Sequence, residues 1–110
     1  MHLSAALIAI LSDLRFAGGV TDSTAKIHKN GLSQVQFGIE KTNDGAHIYR
    51  YQALGSPRLI GAAEYFARAM TDGTVPSVDA CIEALDLSRQ AASEVLLVEE
   101  AARNAMTATK

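Results

Sequence analysis

The chain has no tryptophan and only three phenylalanines and three tyrosines in 110 residues, so its core cannot rest on large aromatic anchors. Aliphatic and small side chains must fill it, and abundant alanine suits helices that approach one another closely. Cysteine is nearly missing too. A single thiol, Cys81, excludes an internal disulfide and fits a reducing, cytoplasmic setting. It stands between Ala80 and Ile82 in a helical pattern, which reads as a buried structural thiol and not a reactive one. No apolar run is long enough for a membrane span: residues 3–11 fall far short, and Asp13 and Arg15 follow at once. That run also lacks the basic residues ahead and the small-residue cleavage site behind that a secretory signal needs. No excess of positive charge exists either. The net charge is −2 with Lys and Arg scattered, so nothing resembles a phosphate-neutralising patch and nucleic acid is not an expected partner.

What remains is a globular balance of 48% apolar and 20% charged residues, which argues against disorder. No repeat, low-complexity segment or linker interrupts it, so residues 1–110 are expected to form one α+β domain. A domain this short buries a modest share of its surface, and association with a second copy would help it.

Leu3, Leu7, Ile10 and Leu14 recur at helical spacing, with Ala6 and Leu11 widening the stripe. They predict a helix over residues 2–16, closed by Gly18-Gly19. Mixed Val, Thr and Ile then predict a strand over residues 23–28, with a turn at Lys29-Asn30-Gly31. Val35, Phe37 and Ile39 alternate with Gln36, Gly38 and Glu40, and Tyr49 and Tyr51 alternate with Arg50 and Gln52. About Asn43-Asp44-Gly45 these runs predict an antiparallel hairpin near residues 35–52. A two-residue turn would set Ile39 against Arg50 and Phe37 against Gln52, mixing the faces. A loop of three or five residues sets both against tyrosines and keeps one face apolar, so the longer loop is expected.

Two helices are expected next. Ser56 can cap free amides and Pro57 suits the first helical position, after which Leu59, Ala62, Ala63, Phe66, Ala69 and Met70 make one face. Arg58, Glu64 and Arg68 are placed on the opposite, solvated face, and Thr71-Asp72-Gly73 ends the helix. Ser77 then caps a long final helix with the stripe Val78, Cys81, Ile82, Leu85, Ala92, Val95 and Leu96. Residues 95–98 could continue it or leave as a short strand, and residues 105–110 are expected to fray.

Motifs for chemistry are missing. His2, His28 and His47 share no metal-ligand spacing, so no metal is expected. Gly18-Gly19 follows a helix and not a strand, no Walker sequence exists, and no cofactor is expected. The serines have no elbow motif, Cys81 has no identifiable base, and no catalytic residue can be assigned. Asp79, Glu83 and Asp86 read as a solvated helix face. The candidate ligand or interface residues are His47, Tyr49, Arg50 and Tyr51. The tyrosines either cover the helices with their hydroxyls in water or anchor an interface together with Arg50.

One longer pattern stands out. Phe66, Ala69, Met70, Gly73 and Pro76 are followed by Ala84-Leu85-Asp86-Leu87 and Ser93. In this order, residues 56–98 resemble the C-terminal part of the glucose–fructose oxidoreductase / inositol dehydrogenase family. The resemblance implies a sheet-and-helix domain that follows the nucleotide-binding domain in NAD(P)-dependent sugar and polyol oxidoreductases. Such a domain supplies an open sheet for subunit association and part of the substrate pocket. The family's Gly-rich loop and its lysine-bearing segment have no counterpart here. His2-Leu3 lacks the context of the family's catalytic histidine, and residues 99–110 exceed the usual family end. The resemblance therefore implies neither dinucleotide binding nor hydride transfer by this chain alone.

Three readings follow. The first is a non-catalytic association domain, homo-oligomeric or bound to a partner subunit. The second is a small-molecule-binding protein or small enzyme with a pocket between sheet and helices, lined by His47, Tyr49 and Arg50. The third is a helical adaptor using the final helix.

Overall fold

The computed structural model describes residues 3–18, 20 and 26–108. It is an α+β structure: helix α1 (Ala5–Leu11), strands β1 (Ile27–Asn30), β2 (Ser33–Lys41) and β3 (His47–Leu54), then helices α2 (Pro57–Thr71), α3 (Val78–Ala84) and α4 (Ala92–Ala108). A 3₁₀ turn, Arg89–Ala91, leads into α4.

The sheet is antiparallel in the order β1-β2-β3. In the central hairpin Phe37 faces Tyr51, Ile39 faces Tyr49 and Lys41 faces His47, so the loop holds the five residues 42–46. This is the register that keeps the apolar face intact. Val35, Phe37, Tyr49 and Tyr51 are buried on it and pack against α2 and α4. The other hairpin is tighter than expected. Asn30 pairs with Ser33 across the two residues Gly31 and Leu32. Gly31 has φ +63°, which glycine adopts without steric cost, so the turn centres there and draws Lys29 and Asn30 into the strand. Of the strand expected over 23–28, residues 23–25 lie outside the described residues.

α2 forms as expected. The Ser56 hydroxyl accepts from the Leu59 amide at 3.3 Å, Pro57 opens the helix, and Asp72 and Gly73 close it. Leu59, Ala62, Ala63, Phe66, Ala67 and Met70 are all buried. Gly61 lets α1 lie close, since a Cβ there would stand 2.4 Å from the Leu7 Cδ1 atom.

Three further expectations need correction. The first helix covers Ala5–Leu11 and not residues 2–16; Ser4 caps it, and Ser12, not the glycine pair, ends it. His2 and Gly19 lie outside the described residues, and Leu14 is exposed. The chain leaves the helix because residues 16–18 run along the outer edge of β3. There Gly18 N donates to Tyr51 O at 2.7 Å and Tyr51 N donates to Phe16 O at 3.2 Å. Both are bonds an edge strand would otherwise lack.

The long final helix is two helices. α3 ends in a Schellman motif: Leu87 N donates to Ile82 O at 2.9 Å and Asp86 N to Glu83 O at 3.2 Å. Asp86 takes the left-handed position with φ 51°, a place usually marked by glycine. Without a glycine the stop was invisible in the sequence. The break also resets the helical phase, so Leu97 and Val98 are buried in α4 whereas Leu96 is exposed. Residues 95–98 are helical, and the helix runs on to Ala108, past the start of the expected fraying; residues 109 and 110 lie outside the described residues.

Glu64 is the third correction. It belongs to the buried interior, with no exposed surface.

Candidate functional site

Alternation along β3 separates the candidate residues. Tyr49 and Tyr51 point to the helices, while Arg50 lies on the opposite face, where its Nε bonds a Glu40 carboxylate oxygen at 3.2 Å. This ion pair is partly exposed, so its contribution to stability is small. His47 is exposed at the first position of β3, opposite Lys41. The structure thus brings the two tyrosines together and separates them from Arg50.

Tyr51 does cover the helices, but its hydroxyl does not reach water. It donates to Glu64 Oε1 at 3.0 Å, and its ring lies 6.2 Å from that of Phe37. The same Glu64 oxygen accepts from the Phe16 amide at 3.2 Å, and Oε2 accepts from Arg68 Nε at 2.7 Å. Arg68 extends the network by donating through Nη2 to Asp13 O at 2.5 Å. Burial and the adjacent Glu64 carboxylate push the Tyr51 phenol well above its usual range. One carboxylate therefore fastens β3, α2 and the segment after α1. The only trace of this cluster in the sequence is the Glu64–Arg68 spacing of one helical turn, a pairing equally common on solvated faces.

A second polar cluster joins the starts of α2 and α4. The Ser56 hydroxyl donates to the Glu94 carboxylate, whose Oε1 lies 3.3 Å from Arg58 Nη2. Among the described residues, Arg58 Nε and His28 Nδ1 are buried without a hydrogen-bond partner. No group of three or more metal-ligating side chains occurs among the described residues, and no helix there is long and apolar enough to cross a membrane.

Three surface grooves among the described residues lie elsewhere. One of about 370 Å³ sits between α1, α2 and the end of α3. A second, about 230 Å³, lies between β1 and α4, and a third, about 460 Å³, lies beside Ser4 and Asp86. None of the three is lined by His47, Tyr49, Arg50 or Tyr51.

Cys81 is fully buried, and burial pushes its thiol up to about 12. Alkylation of the folded protein at neutral pH is expected to run only as fast as the chain opens. Labelling with iodoacetamide, followed by mass spectrometry with and without urea, checks this; prompt labelling without urea would contradict it. The sign for stability follows from the same shift. Above pH 9, the thiol's ordinary value, the unfolded chain releases a proton that the folded one keeps. Stability is then lost as pH rises towards 12, and Cys81→Ala is expected to remove that component.

No protein-family model matches the chain, and no curated protein matches it either.

Proposed function

We propose that this chain is a non-catalytic α+β association domain that forms a homo-oligomer through the open face of its sheet, in a cytoplasmic setting. The observation that carries this reading is the asymmetry of the sheet. One face is covered by α2 and α4, and among the described residues no helix covers the other. On that second face Ile27 and Leu54 are 48% and 62% exposed, and Arg50, paired with Glu40, shares it. Apolar side chains with an arginine at hand are common interface material. A domain of this size also gains by burying more surface. The resemblance of residues 56–98 to the C-terminal part of the oxidoreductase family supports the same reading, because that family associates through such a sheet. On this proposal the chain is a relative of that domain, acting as a piece or partner of a larger assembly.

Sedimentation of the full chain over a range of concentrations tests the proposal. A dimer or larger assembly is expected, converted to monomer by the pair Ile27→Lys and Leu54→Lys with circular dichroism unchanged. A strict monomer at all concentrations would reject the reading.

A further inference from the structure

We propose that the groove between α1, α2 and the end of α3 is a binding site for a small uncharged amphiphile, an apolar ring or short chain with one hydroxyl or amide head. The groove exists because small side chains line it. Ala6 and Ala9 on α1 face Ala84 at the end of α3, and Ile10 and Leu85 are its buried apolar residues. Its volume of about 370 Å³ lies at the small end of the range for ligand sites.

The remaining lining residues, Asp13, Tyr65 and Arg68, set the chemistry of the head group. Asp13 Oδ2 is paired with Arg15 Nε at 2.7 Å, and Arg68 Nε with Glu64 Oε2 at 2.7 Å. Two acids and two bases sum to zero, so the groove has no net charge to hold an ion. It does have unused hydrogen-bonding capacity. Arg68 binds through Nε and Nη2, which leaves Nη1 without an acceptor among the described residues. Asp13 Oδ1 likewise has no donor among them, and Tyr65 adds a phenol. A hydroxyl or amide can accept from Arg68 or Tyr65 and donate to Asp13 at once. A carboxylate would face Asp13, and an ammonium would face Arg68.

The test uses the full chain and three probes of similar size: 4-methylphenol, hexanoate and hexylamine. In amide-resolved NMR titrations, 4-methylphenol is expected to shift the signals of Ala9, Tyr65 and Ala84 saturably, with Kd on the order of 1–10 mM for so small a molecule. The two charged probes are expected to bind at least ~5-fold more weakly, the loss of one hydrogen-bond contribution. Ala9→Phe, at an exposed helix position, fills the groove without touching the core and is expected to abolish saturation. Tyr65→Phe is expected to weaken binding by ~3–10-fold. Absence of saturable shifts up to solubility would overturn the proposal. So would shifts that persist in Ala9→Phe, or tighter binding of either charged probe. The groove lies on the helical side of the molecule, so the monomeric sheet-face variant is expected to give the same titration, whether or not the association reading survives.

Discussion

Glu64→Ala is expected to lower the unfolding free energy by about 3–5 kcal/mol, the range seen when one partner of a buried charge pair is removed. Against a total of about 5–15 kcal/mol for a domain, that is a large fraction. The cost has three sources. The Tyr51 hydroxyl and the Phe16 amide lose their acceptor inside the protein, and Arg68 loses the carboxylate that holds it over Asp13. Glu64→Gln keeps an acceptor oxygen for Tyr51 and Phe16 but turns an amide towards Arg68. It is expected to cost about 1–3 kcal/mol. Urea unfolding of both variants measures the difference. Hydrogen exchange locates it: the Gly18 and Tyr51 amides pair residues 16–18 with β3, and they should lose protection before the α2 amides do. A Glu64→Ala variant within ~0.5 kcal/mol of the parent would show that the carboxylate is not what fastens the segment.

Glu64 also shows where sequence reasoning stops. Apolar periodicity placed α2, its cap and its end, because Leu59, Phe66 and Met70 repeat at helical spacing and Ser56-Pro57 is a strong start signal. Alternation placed the hairpin and its register, since slipping it by one residue would have turned Phe37 and Ile39 out of the core. These signals are local. The burial of Glu64 is not local. It depends on Tyr51 from β3 and Phe16 from beyond α1 arriving at one spot, and neither leaves a mark beside residue 64. The candidate site was only half legible for the same reason. Alternation implied that Tyr49 and Tyr51 share a face; grouping Arg50 with them overlooked the same alternation, which turns it to the opposite face. The groove between α1, α2 and α3 had no signature at all, because it is a space left by alanines on elements far apart in the chain.

Leu97→Ala is expected to destabilise the protein by about 2–4 kcal/mol, and Leu96→Ala by no more than ~0.5 kcal/mol. The two leucines are adjacent in α4, and the substitution is the same, so helix propensity cancels between them. Burial is what differs, at 7% exposure for Leu97 and 45% for Leu96. An uninterrupted helix from Ser77 would reverse the order, because its stripe through Val78, Ile82 and Leu85 reaches Leu96 and leaves Leu97 on the flank. The left-handed residue at Asp86 turns the chain out of that phase, and the 3₁₀ turn at Arg89–Ala91 starts α4 in a new one. Chemical denaturation of the two variants therefore reads the break between α3 and α4 without any structural probe of the break itself. A larger loss from Leu96→Ala would mean that the helix is continuous and that Asp86 is not its stop. A third variant tightens the test. Asp86→Gly relieves the left-handed strain and is expected to stabilise the protein by up to ~1 kcal/mol, whereas glycine inside a continuous helix would cost about as much. The sign of that one change separates the two architectures.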